Sequence, residues 1–201
     1  MKILGVSLGR SATKSLAQFL SWNGFSIKHF YNIDEIEKGI FSEDLNGLNK
    51  YLESIDHLAE AFLDIPHSLS FEHFFKMHPD AKFIYIKRDI ESWAKSMYEV
   101  SQIWAHDNEN TLFEKAYCNL YIKTNKNKIQ DLTIKELKDI WTAHDKKISE
   151  FFKNKDNFIE ISLDDKEIEN KLSSFLNITT KTNFPKINTI DSIRKKSFNG
   201  N

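Results

Sequence analysis

The sequence has a single cysteine, Cys118, in 201 residues. One thiol excludes an intrachain disulfide and any cysteine-based zinc cluster, and it suits a reducing compartment, so the cytoplasm is the expected location. Three prolines and six glycines are too few for a collagen-like or linker-rich chain. Neither sign of charge is in excess: 28 basic and 29 acidic residues leave a formal net charge of −1. That balance argues against wholesale binding to nucleic acid or to a membrane surface, and still allows a local basic pocket. No stretch approaches the ~20 apolar residues of a membrane span. The apolar start Ile3-Leu4 is broken by Gly5, Ser7 and Gly9, which excludes a secretory h-region. No internal repeat is visible, and the Lys/Asn-rich KTNKNK at 123–128 reads as a solvated loop.

What is present is an ordinary globular composition, 40% hydrophobic and 28% charged, of a length expected to form one domain over residues 1–201. Lys2–Val6 reads as a buried strand, followed by a loop and then a helix through Leu16, Phe19 and Leu20 that stops at Asn23-Gly24. Period-two alternation in FSIKHFY (25–31) predicts a second strand. Leu45, Leu48, Leu52, Ile55 and Ala59 predict an amphipathic helix ending before Pro66, with AFLD (61–64) readable as a last turn or a short strand. After a helix over 70–77 and a turn at His78-Pro79-Asp80, KFIYIK (82–87) is the clearest buried strand. Asp89 then caps a helix with Trp93, Met97, Val100 and Trp104 on one face. Helices over 111–123 and 133–153, the latter striped by Ile134, Leu137, Trp141, Ile148 and Phe152, precede a strand at 157–162 and a helix at 168–176. Strands alternating with helices predict an α/β fold, a parallel sheet covered on both faces. Ligands of such sheets bind beyond the carboxyl ends of the strands.

Two stretches fall at that edge. The first, GVSLGRSATKS (Gly5–Ser15), links strand to helix. A helix N-terminus offers unpaired N–H groups and a positive dipole end, and Ser11, Thr13 and Ser15 add hydroxyls while Arg10 and Lys14 add charge. It misses the nucleoside-triphosphatase signature G-x-x-x-x-G-K-[ST], because the second glycine would fall on Arg10. Alone, such a loop is more often a plain strand-to-helix turn with surface charge. The second stretch, HPDAKFIYIKRDIESWAKSM, places Arg88 at the end of the buried strand and Ser96 eight residues on, within the next helix. About six helical residues rise ~9 Å, so an Arg88 lying along the helix and Ser96 could close on one phosphate. The plain alternative is a solvated strand end and an ordinary helix serine.

Together these stretches resemble the sulfotransferases that use 3′-phosphoadenosine 5′-phosphosulfate (PAPS), with most likeness to bacterial and small-molecule-type members. In that family a pattern like (K/R)-[ST]-G-T holds the 5′-phosphosulfate; here it reads Arg10-Ser11-Ala12-Thr13, followed by Lys14-Ser15. The family's 3′-phosphate motif, a strand ending in Arg with Ser eight positions on, is matched by Arg88 and Ser96. The cadence of FF at 151–152, FIEIS, SSFL and FPKIN is also similar. The resemblance implies a three-layer P-loop-type domain in which Gly9, Arg10, Ser11, Ala12, Thr13, Lys14, Ser15, Arg88 and Ser96 bind PAPS and its product 3′,5′-ADP. It implies transfer to a hydroxyl or amine of a small-molecule or glycan acceptor, with no metal required. Ala12 stands where the family has glycine, where a positive φ or a close phosphate approach would be met less comfortably. Cytosolic members carry a histidine two residues before a proline; that position here is Asp64, before Ile65-Pro66, with His67 just after. Arg10 is expected to stabilise the leaving oxygen and Asp64 or His67 to take the acceptor's proton.

Other readings compete. A small-molecule or nucleotide kinase using ATP and Mg²⁺ lacks its Gly-Lys pair here, and no aspartate metal motif follows a strand. A non-catalytic nucleotide-binding module is favoured only by Ala12 and the open choice of base. The remaining histidines show no metal spacing, and RKKS (194–197) reads as a solvated tail or as a basic segment near the 3′-phosphate. Residues 35–60 and 98–130, with Phe41, Tyr51, Tyr98, Trp104, Phe113 and Tyr117, are the expected acceptor region. Oligomeric state is not readable.

Overall fold

A computed structural model describes residues 1–29, 46–104, 121, 126, 128–180 and 182–187. Two compact units divide the chain, one of Met1–Lys87 with Phe152–Lys186 and one of Arg88–Phe151 with Ile187–Asn201.

The first unit carries the five-stranded sheet. Its strands are β1 (Ile3–Gly5), β2 (Ile27–His29), β3 (Ala61–Leu63), β4 (Lys82–Lys87) and β5 (Phe158–Ser162), in the order β2-β3-β1-β4-β5 with every pairing parallel. AFL at 61–63 is therefore a strand, not a last helical turn: all three side chains are buried, and its backbone pairs with β1 on one side and β2 on the other. Short apolar runs with both faces covered are what a central parallel strand requires.

Alternation sorts side chains onto two layers. Ile3, Ala61, Leu63, Ile84, Ile86 and Ile161 pack with Leu16, Phe19 and Leu20 of α1 (Thr13–Trp22) and with residues of a C-terminal helix, Ile168, Leu172 and Leu176. On the other side the layer is aromatic: Phe74 lies 5.9 Å from Phe62 and 6.2 Å from Phe83, and Phe152 stacks on Phe158 at 4.5 Å. Each fully buried side chain of this kind contributes on the order of 1.5–3 kcal/mol. The helices among the described residues are α1, α2 (Asn46–Ile55), α3 (Phe71–Met77), α4 (Ile90–Trp104), α5 (Ile134–Phe152) and α6 (Ile168–Leu176). α1 ends as the sequence reading expects: Asn23 and Gly24 turn the chain, Gly24 at φ 89°, while the Phe25 N–H reaches back to the Leu20 carbonyl at 3.2 Å. A Cβ at Gly5 would stand 2.4 Å from Leu63 Cδ2, so a larger residue there would oblige the Leu63 side chain to shift.

In the second unit, Asp89 caps α4 by accepting the Ser92 N–H on Oδ1 at 2.8 Å. Trp93, Met97 and Val100 are buried as the periodicity predicts. Thr133 and Glu136 form a capping box on α5: the Thr133 N–H donates to Glu136 Oε2 at 2.7 Å and the Glu136 N–H to Thr133 Oγ1 at 3.2 Å. The α5 stripe differs from expectation. Leu137, Ile140, His144 and Ile148 are buried, whereas Ile134 is exposed and Trp141 half-buried. The buried row follows the i, i+3, i+7, i+11 spacing of one face, and His144 enters it because its Nδ1 is bonded to the Tyr121 hydroxyl at 2.8 Å. Residues 30 and 31 of the second predicted strand, most of the helix expected over 111–123, Cys118 and RKKS (194–197) lie outside the described residues. No helix among the described residues is long and apolar enough to cross a membrane.

Candidate active site

β1 ends at Gly5 and α1 begins at Thr13, so the intervening loop leaves the carboxyl edge of the sheet at its central strand. Two bonds continue the β1–β4 pairing into that loop. The Val6 N–H donates to the Ile84 carbonyl at 2.9 Å, and the Ile86 N–H donates to Ser7 Oγ at 2.8 Å. Ser7, which the sequence reading passed over, thus replaces a backbone acceptor with a side-chain one and anchors the loop.

Beyond this anchor the chain turns tightly. The Ser11 N–H bonds back to the Leu8 carbonyl at 3.2 Å, and Arg10 and Ala12 take φ of 69° and 58°. Ala12 therefore occupies the left-handed region where a glycine pays no Cβ penalty. The first bond inside α1 runs from the Leu16 N–H to the Ala12 carbonyl at 2.9 Å. The N–H groups of Thr13, Lys14 and Ser15 precede it, at the positive end of the helix dipole. No acidic residue occupies the first turn. Gly9, Arg10 and Ala12 are half-buried, the Ser11, Thr13 and Ser15 side chains are buried, and Lys14 is exposed.

Asp64 follows β3 directly, and the sheet order puts that strand between β1 and β2. Its carboxylate is buried, with φ 68°, and is held at both oxygens. Oδ1 accepts the Ile65 N–H at 2.8 Å, and Oδ2 accepts the Thr13 hydroxyl at 2.6 Å. His29 Nε2, from the last residue of β2, stands 3.1 Å from Thr13 Oγ1 and 3.4 Å from Asp64 Oδ2. Burial works against ionisation of Asp64. The His29 hydrogen bond and charge, with the donors on Thr13 and Ile65, outweigh burial and hold the carboxyl below its ordinary range. His29 was not legible as a site residue: its only sequence signal is its place at the end of an alternating strand.

In the second unit, Arg88 directly follows β4 and its Nε donates to Ser92 Oγ at 2.9 Å. Ser96, one turn further along α4, is buried. The two serines that share a spacing of four thus differ in exposure, with Ser92 open and in contact with Arg88.

Residues 2–193 match the family described as Sulfotransferase domain. The chain belongs to the sulfotransferase family. Among solved structures, a sulfotransferase from Alicyclobacillus acidocaldarius is similar at 15% identity, covering 97% of this chain and 88% of that one with a TM-score of 0.54. The sulfotransferase domain from the curacin biosynthetic pathway is similar at 13% identity, covering 90% and 75% with a TM-score of 0.54. Mouse sulfotransferase SULT7A1, complexed with PAP, has 18% identity over 98% of this chain and 63% of that one, with a TM-score of 0.46. No curated protein matches the sequence at a significant level. The parallel α/β fold expected from the alternation of elements is the one shared with the two structures at a TM-score of 0.54.

Of the two candidates in this sulfotransferase, the Asp64 carboxylate and the His67 imidazole, Asp64 touches the start of α1 through Thr13. His67 lies in the aromatic layer, stacked on Phe62 at 4.4 Å and edge-on to Phe74 at 6.2 Å. Burial pushes its pKa down to about 3, so it is neutral at ordinary pH. From the expected acceptor region, Tyr51 is half-buried and Tyr98 exposed, while Phe41, Phe113, Tyr117 and the Trp104 side chain lie outside the described residues.

Proposed function

We propose that this sulfotransferase takes its sulfuryl group from PAPS and transfers it to a hydroxyl or amine of a small-molecule or glycan acceptor. The observation that carries the reading is the turn at Arg10–Ala12 feeding the start of α1, whose own first turn holds no acidic residue and is flanked by Arg10 and Lys14. The family match favours it over an ATP-dependent kinase.

When bound, PAPS supplies an activated sulfuryl group on a phosphate leaving group. The Thr13–Ser15 N–H groups hold the anionic end, and Arg10 stabilises the charge that grows on the leaving oxygen. Arg88 and Ser96 hold the 3′-phosphate, completing the assignment of Gly9–Ser15 to the 5′ end. Asp64 takes the acceptor's proton: it is ionised, and its tie to Thr13 keeps it beside the loop. His67 is neutral and enclosed by the rings of Phe62 and Phe74.

Calorimetric titration with 3′,5′-ADP and with ATP plus Mg²⁺, followed by a transfer screen over alcohols, phenols, amines and sugars, tests the reading. Binding of 3′,5′-ADP and turnover with at least one acceptor are expected; tighter binding of ATP with Mg²⁺ would overturn it. With an acceptor in hand, Asp64→Ala should lose roughly 10²- to 10⁴-fold in turnover and still bind 3′,5′-ADP. If His67→Ala takes that loss instead, the proton goes to His67.

A further inference from the structure

We propose that His29 is a positioning residue that fixes the Asp64 carboxylate, with Thr13, so that one lone pair of Oδ1 is left for the acceptor's proton. The inference rests on the assignment of Asp64 as proton acceptor.

The hydrogen-bond inventory sets the direction of each donor. Thr13 has one hydroxyl hydrogen, and it lies on the 2.6 Å contact to Asp64 Oδ2. The 3.1 Å contact between Thr13 Oγ1 and His29 must then run the other way, with Nε2–H as donor. The same Nε2 is 3.4 Å from Asp64 Oδ2, so one N–H bridges hydroxyl and carboxylate. A carboxylate offers about four lone-pair positions. Here the Ile65 N–H occupies one on Oδ1, and Thr13 and His29 occupy Oδ2. The position left over among the described residues is on Oδ1.

Two pins are needed for that result. The Ile65 N–H alone would leave the carboxyl group free to turn about its Cβ–Cγ bond; a second pin on the other oxygen stops it. The sheet supplies that pin through register. His29 pairs with Leu63 across β2 and β3, so Asp64, one residue past Leu63, leaves the sheet beside the end of β2. On the other flank β3 pairs with β1, whose loop delivers Thr13. Donors from both neighbouring strands therefore reach one carboxylate oxygen. They also offset its negative charge at a place where an anionic ligand is to bind, which an unpaired carboxylate would repel.

His29→Leu, which keeps bulk and removes the donor, His29→Gln, which keeps an N–H donor, and Asp64→Asn separate the cases. With a verified acceptor, His29→Leu should lower kcat roughly ten- to a hundredfold, less than loss of the base itself, with the 3′,5′-ADP Kd within about twofold of the parent. His29→Gln should recover most of the loss. Carbon NMR of the Asp64 carboxyl gives a readout independent of turnover: it should titrate highest in His29→Leu, lowest in the parent, and between them in His29→Gln. Full turnover of His29→Leu with a dead Asp64→Asn overturns the positioning role and spares the base. Full turnover of Asp64→Asn removes the base, and the role of His29 with it. Equal losses in the Leu and Gln variants with an unchanged Asp64 titration would show a merely structural histidine. Should His29→Leu fail to fold, the Asp64 titration of His29→Gln against the parent decides: no rise overturns the inference.

Discussion

Thr13 Oγ1 stands 2.6 Å from Asp64 Oδ2, a bond between residues 51 apart in sequence that ties the first turn of α1 to the end of β3. The loop suited to an anion and the carboxylate suited to a proton are thereby one hydrogen-bonded unit. A change at either end is felt at the other, and the unit has a pH signature of its own.

Asp64 should make folding acid-sensitive. Its carboxyl lies below the unfolded value of ~3.9, so the folded protein binds fewer protons than the unfolded chain between its own value and ~3.9. The resulting stabilisation is present above ~3.9 and lost as pH falls through the folded value. Asp64→Asn should therefore be less stable than the parent at neutral pH, with the gap narrowing in acid. Urea denaturation at neutral pH and near pH ~3 measures this; a pH-independent gap would mean that the cluster does not hold the charged form.

His67 should act over a different window. Folding holds it neutral, with a pKa of about 3, while the unfolded chain protonates it near ~6.5. Its contribution is complete above ~6.5 and declines by roughly 1.4 kcal/mol per pH unit as pH falls toward the folded value. His67→Phe, which preserves the ring stack on Phe62, should flatten stability between pH ~6.5 and ~4. Parallel curves for parent and variant would contradict the buried neutral imidazole.

Ala12→Gly should be tolerated, with Tm unchanged or raised. Relief of the left-handed strain at φ 58°, on the order of 1 kcal/mol, is set against a similar entropic cost of glycine in the unfolded chain. Removing the Cβ also opens the loop to a phosphate, so 3′,5′-ADP affinity should hold or improve by calorimetry. A clear loss of binding would show that the loop meets its ligand with a different geometry.

Arg88→Ala should weaken 3′,5′-ADP binding by about 1.5–3 kcal/mol, the scale of a charge-assisted hydrogen bond, with the fold intact. Ser96→Ala should act in the same direction and less strongly, its hydroxyl being neutral. A double-mutant cycle reads whether the two share a phosphate: coupling is expected, and strictly additive losses would separate them. The bond from Arg88 to Ser92 makes Ser92→Ala the natural control for effects that pass through the arginine alone.

The features legible in the sequence are local ones. Period-two and period-3.6 patterns placed the strands and most helices, because each records a burial choice made within a few residues. The loop at Gly9–Ser15 and the Arg88–Ser96 spacing were legible for the same reason, as each is a short segment whose residue types and intervals carry its chemistry. Where local pattern met a choice of faces it fell short: on α5 it chose Ile134 and Trp141 for the core, which instead holds Ile140 and His144. Tertiary structure alone decided the contacts among His29, Asp64 and Thr13. Those residues lie at the end of β2, just after β3 and at the start of α1, and meet only because the strand order is β2-β3-β1, an order no interval along the chain encodes. The same holds for His67. Three residues from Asp64 in sequence, it turns into the aromatic layer, where burial keeps it a neutral ring, while Asp64, buried too, is kept charged by His29, Thr13 and the Ile65 N–H.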